Sequence, residues 1–123
     1  MQQDHEQLDL ELGRLAQALR GGDHMLACLQ LAEFALKLDI YIRREERALS
    51  FAHRCVGAPP RAVTIIQREH ASLRELVASI ASALDRADDR RGVEMIGKLR
   101  SVLLFHMVKE QLVLFERTAA ETW

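Results

Sequence analysis

No stretch of this sequence approaches the roughly 18 consecutive apolar residues that a membrane-spanning helix needs. The amino terminus, Met1-Gln2-Gln3-Asp4-His5-Glu6, has neither a basic start nor an apolar run, so it does not read as a secretory signal, and the protein is expected in the cytoplasm. A dominant charge is missing too. Charged residues make up 28% of the chain yet leave a formal net charge of -1, which argues against a surface for polyanions and excludes nucleic acid as an expected partner. Cysteine is scarce: Cys28 and Cys55 fall on one predicted helix, about 40 Å apart along its axis at 1.5 Å per residue. They cannot pair within the chain, and no CxxC spacing suggests a redox or metal role. No Ser-His-Asp or Cys-His set is visible either, so acid-base or nucleophilic catalysis by side chains alone is not indicated.

What is present is helical. With 49% hydrophobic residues over 123 positions, the chain can bury a core of its own, and residues 1–123 are read as a single domain. Breakers at Gly21-Gly22-Asp23, at Gly57-Ala58-Pro59-Pro60 and between Asp85 and Gly92 divide it into four segments. The short gaps favour antiparallel neighbours in up-down-up-down order. Asp23 suits the N-cap of the second helix, Pro60 the first turn of the third, and Asp88 or Asp89 the cap of the fourth. Apolar residues recur by threes and fours in every segment: His5, Leu8, Leu12, Leu15 and Leu19; Ala27, Leu31, Phe34, Leu38, Tyr41, Glu45 and Ala48; Val63, Ile66, His70, Leu73, Val77, Ile80 and Leu84; Ile96, Leu99, Leu103, His106, Glu110 and Val113. Strand-type alternation is absent, and the expected fold is an all-α antiparallel four-helix bundle.

The seams contain polar residues where a bundle core normally takes hydrocarbon: His5, Tyr41, Glu45, His70, His106 and Glu110. A buried carboxylate without a partner costs several kcal/mol, at roughly the scale set by transfer data, or takes up a proton. Up-down topology brings all six toward one end of the bundle, and the i, i+4 spacing of Tyr41 with Glu45 and of His106 with Glu110 stacks each pair on one helix face. Imidazole with carboxylate is a ligand set for iron, manganese or zinc. Three imidazoles, a phenol and two carboxylates able to bridge are more than one ion needs. The expectation is therefore two metal ions held by His5, Tyr41, Glu45, His70, His106 and Glu110, completed by oxo, hydroxo or water. Glu46 and Glu69 adjoin seam positions and are expected to point sideways, and His24 and His53 to lie on the surface.

These residues resemble the hemerythrin-like, or HHE cation-binding, family over essentially the whole chain. The resemblance is carried by Asp4-His5, by Tyr41-Ile42-Arg43-Arg44-Glu45-Glu46, by Arg68-Glu69-His70 and by His106-Met107-Val108-Lys109-Glu110, in the order His, HxxxE, His, HxxxE. It implies two non-haem iron ions, oxo- or hydroxo-bridged, on His5, Glu45, His70, His106 and Glu110. Two departures bear on function. Tyr41 stands where the pattern has histidine, as a phenolate ligand, beside a vacant position, or in a site reduced to one metal. Arg74 lies four residues after His70, where the oxygen carriers have a second histidine, which makes simple oxygen transport a poor fit. A phenolate would favour ferric iron, so the expected small ligand is peroxide or nitric oxide, acted on or sensed. A non-catalytic sensor of oxygen or iron, an oxygen-binding module and a metal-free interaction bundle remain alternatives.

Overall fold

The computed structural model of the protein describes the backbone of residues 2–57 and 60–122, and side chains at 4–55, 57, 61 and 63–109. Four helices follow one another: α1, Gln2–Arg20; α2, His24–Val56; α3, Pro60–Asp85; and α4, Asp89–Thr122. No strand occurs among the described residues.

The boundaries follow from local chemistry. Asp23 accepts the backbone N–H of Leu26 at 3.1 Å and so satisfies one of the orphan donors at the start of α2. Gly57 closes the same helix in the left-handed region at φ 74°, its N–H bonded to the carbonyl of Ala52. Of the two candidates before α4, Asp88 is the cap, accepting from the Arg91 N–H at 3.1 Å.

Each helix packs on its two neighbours, α1 on α2 and α4, and α3 on α2 and α4. Ion pairs fix the sense of packing. Glu11 meets Lys37 between α1 and α2, Asp39 meets Arg74 between α2 and α3, and Asp9 takes Arg100 in a forked pair at 2.9 and 3.1 Å between α1 and α4. Set beside the contacts of His5 with Tyr41, of Glu46 with His70 and of His5 with His106, these pairs show residue numbers rising on one helix as they fall on the other, as antiparallel neighbours require. The core runs along the axis through Leu8, Leu12, Leu15, Leu31, Phe34, Leu73, Ile80, Ile96 and Leu99, all buried.

Most seam residues predicted from spacing are buried, but Val63 and Val77 are only half-buried, and Ala16, Ala18, Ala83 and Met95 are buried off the seams. Ala48 is exposed, because α2 runs on past the part of the bundle that covers it, and Ile42, beside Tyr41, is fully buried although it lies off the seam. A seam about 100° wide takes in neighbouring positions that a strict three-four count omits. Val113 and the side chain of Glu110 lie outside the described residues.

Candidate metal centre

The buried polar residues of the described core are His5, Glu45, His70 and His106, joined by the buried Tyr41. They meet because His5 and His70 come in the first half of α1 and α3, whereas Tyr41, Glu45 and His106 come past the midpoint of the antiparallel α2 and α4. Apolar residues three or four positions away are buried with them: Leu8, Leu38, Leu73 and Leu103 close the site toward the core, and Ile66 lies one turn beyond His70 on the outer side.

Glu45 is the hub. Its Oε1 lies 2.8 Å from His70 Nε2 and 2.7 Å from His106 Nε2. Its Oε2 accepts from the Tyr41 hydroxyl, whose oxygen in turn lies 2.7 Å from His5 Nε2. The phenol has one proton and gives it to Glu45, so His5 is the donor to the phenol oxygen. The two carboxylate oxygens thus face different partners: His70 and His106 on one side, Tyr41 with His5 behind it on the other.

The outer nitrogens are also engaged. His70 Nδ1 is 3.1 Å from Glu46 Oε1, and His106 Nδ1 is 2.5 Å from Glu69 Oε2. Glu69 is tied at its other oxygen to Lys109 at 2.9 Å. Burial would raise the Glu45 carboxyl, but the bonds from His106, His70 and Tyr41 outweigh it and hold Glu45 well below the usual carboxylate range. Burial also opposes charge on His106, yet Glu45 and Glu69 on its two nitrogens raise it to about 9. Glu69 lies below the carboxylate range because Lys109 and His106 overcome its own burial. His5 is lowered, by burial first and by the His106 charge next.

The donor set fits a metal ion. Ligand atoms of Glu45, His70 and His106 all lie within 4.8 Å of one another. Donors at right angles on an ion about 2.1 Å away are separated by about 3.0 Å, so the 2.7–2.8 Å spacings need little expansion. His5, His70 and His106 all turn Nε2 inward, and the carboxylate at Nδ1 of His70 and of His106 is the arrangement that metal-bound histidines use to fix their tautomer.

Five of the six residues expected from sequence therefore come together, and Glu110 follows one turn after His106 on α4 with its side chain outside the described residues. His24 and His53 are exposed, as expected. Arg74 turns outward to Asp39 and takes no part. Glu46 and Glu69 do point sideways, but sideways from α2 is toward α3 and sideways from α3 is toward α4, where the Nδ1 atoms wait. Their place beside Glu45 and His70 in sequence was the available signal. Two clefts flank α1 at this end: one of about 390 Å³ between α1 and α4, lined by His5, Asp9, Arg100 and Met107, and one of about 230 Å³ between α1 and α2, lined by Leu8, Lys37, Ile40 and Tyr41. No helix of the described chain is long and apolar enough to cross a membrane. Comparison with protein families, curated proteins and solved structures finds no match for this chain.

Proposed function

We propose that Glu45 and the residues around it would hold two non-haem iron ions, and that the chain acts on or senses a small oxidant, peroxide or nitric oxide. The observation that carries this reading is the division of partners between the two Glu45 oxygens, since a carboxylate presented in that way can bridge. His70 and His106 would serve one ion, His5 and Tyr41 the other, and Glu110 would add a second carboxylate. Iron held there would supply the redox chemistry.

The chain's own residues would do the rest. Each histidine exchanges the proton on its inward nitrogen for the ion, so loading releases protons and weakens in acid. Tyr41 places its phenol oxygen beside Glu45 Oε2 and His5, and as a phenolate it would hold the ferric state and disfavour reversible oxygen carriage. Leu8, Leu38, Leu73 and Leu103 keep bulk water from the core side, and the clefts beside His5 and Tyr41 are wide enough for a ligand of two or three atoms.

Metal analysis of protein from iron-replete cells tests the proposal. Close to two irons per chain is expected, and a chain without iron sinks it. The metal-free interaction bundle is the second reading, favoured because the bonds from His70, His106 and Tyr41 satisfy the buried Glu45 carboxylate from the chain's own side chains. The same analysis separates the two.

A further inference from the structure

We infer that Glu46 and Glu69 are positioning residues that hold the rings of His70 and His106 by accepting at Nδ1, and so present Nε2 of each ring to an ion beside Glu45. The inference rests on the metal reading proposed above and adds to it how the histidines are aimed.

Successive residues on a helix are turned by about 100°. Glu45 points to the bundle axis, so Glu46 falls to the α3 side and reaches His70 Nδ1 at 3.1 Å. His70 points to the axis, so Glu69 before it falls to the α4 side and reaches His106 Nδ1 at 2.5 Å. One step around the bundle repeats: a residue directs chemistry inward and its sequence neighbour supports the next helix's histidine. An imidazole ready for a metal carries its proton on one nitrogen only, and an acceptor at Nδ1 decides which. It also stops the ring from turning about χ2. Neither ring has solvent to fall back on, since the His70 and His106 side chains are 0% and 1% exposed.

The two supports are unequal. The Glu69 side chain is 15% exposed, with Lys109 fixing its second oxygen. The Glu46 side chain is 36% exposed, and its bond is longer. Glu69 should therefore hold its histidine the more firmly.

Co(II) titration of the metal-free protein against a competing chelator at fixed pH tests this, with Glu69→Gln, Glu46→Gln and the exposed control Glu33→Gln. Glutamine keeps size but replaces the carboxylate by a weaker, uncharged amide whose NH2 group can equally face the ring, so the charge-assisted bond that fixes Nδ1–H is lost. Expected losses of Co(II) affinity are about 10- to 100-fold for Glu69→Gln and smaller for Glu46→Gln, with none for Glu33→Gln. In the Zn(II)-loaded protein, slowly exchanging ring N–H signals should arise from Nδ1 of His70 and His106. Glu69→Gln should move only the His106 signal and Glu46→Gln only the His70 signal, a pairing that general destabilisation would not produce. Wild-type binding with both variants inside twofold of it overturns the inference and leaves the metal reading intact, whereas a wild type that takes up neither Co(II) nor iron overturns both. Should Glu69→Gln fail to fold, the wild type decides: coordination through Nδ1, with the ring proton on Nε2, overturns the inference.

Discussion

Around Leu12, Leu15, Phe34, Ile80, Ile96 and Leu99 the bundle is filled by apolar side chains alone, while two or three turns along the same seams the fillers are His5, Tyr41, Glu45, His70 and His106. Both regions are buried and both are reached by the same three-four spacing, yet different rules hold them together. In the apolar half, contacts are non-directional, and residues of similar volume can replace one another at a cost of about 1.5 kcal/mol or less. In the polar half every group depends on a named partner at hydrogen-bond distance, and removing one strands the others. Glu45 accepts from α3 and α4 through His70 and His106 and from Tyr41 on its own helix, and α1 joins only through the bond of His5 to Tyr41. One half is held by non-directional packing, the other by a connected set of hydrogen bonds.

The sharpest way to break this contrast is to damage each half equally. Phe34→Ala should lower stability by roughly 3–5 kcal/mol through the cavity it leaves, and Glu45→Ala by a similar roughly 3–5 kcal/mol through the buried donors it strands. If the chain holds iron as proposed, their effects on metal should be opposite, with Phe34→Ala keeping it and Glu45→Ala losing it. Thermal melts with iron analysis decide the matter, and loss of iron from both would mean that the halves are not separable.

Tyr41→Phe is milder, since the ring stays and only the hydroxyl between His5 and Glu45 goes. A stability loss of about 1–3 kcal/mol is expected, with most of the iron retained. If Tyr41 binds ferric iron as phenolate, the oxidised wild type has a visible charge-transfer band that this variant bleaches. An unchanged spectrum would reduce Tyr41 to packing.

A separate effect is expected from pH on the metal-free protein. His106 is raised from 6.5 to about 9, so its contribution is fully present below about 6.5 and is lost as pH rises through about 9. The melting temperature should fall across that window, and in His106→Gln the fall should be absent. The apolar half has no such dependence. Least of all should follow from Cys28→Ser with Cys55→Ser: both thiols are free and exposed, so iron content and melting temperature should stay at wild-type values.

Helix number, helix boundaries and the identity of most buried residues were legible in the sequence. Asp23, Gly57 and Asp88 act on their own backbone neighbours, and hydrophobic spacing reports which stripe of a helix is covered. That polar residues sit on the covered stripe at His5, Tyr41, Glu45, His70 and His106 was likewise a matter of counting. Their partners were not. Whether Tyr41 turns to Glu45, how His5 stands behind it, and that Glu46 and Glu69 reach across to His70 and His106 depend on how each helix is rotated and slid against the next. Periodicity fixes that rotation only to within the width of a seam, about 100°, whereas a hydrogen bond is decided by a few tenths of an ångström. Only the packing of four helices at once sets positions that finely.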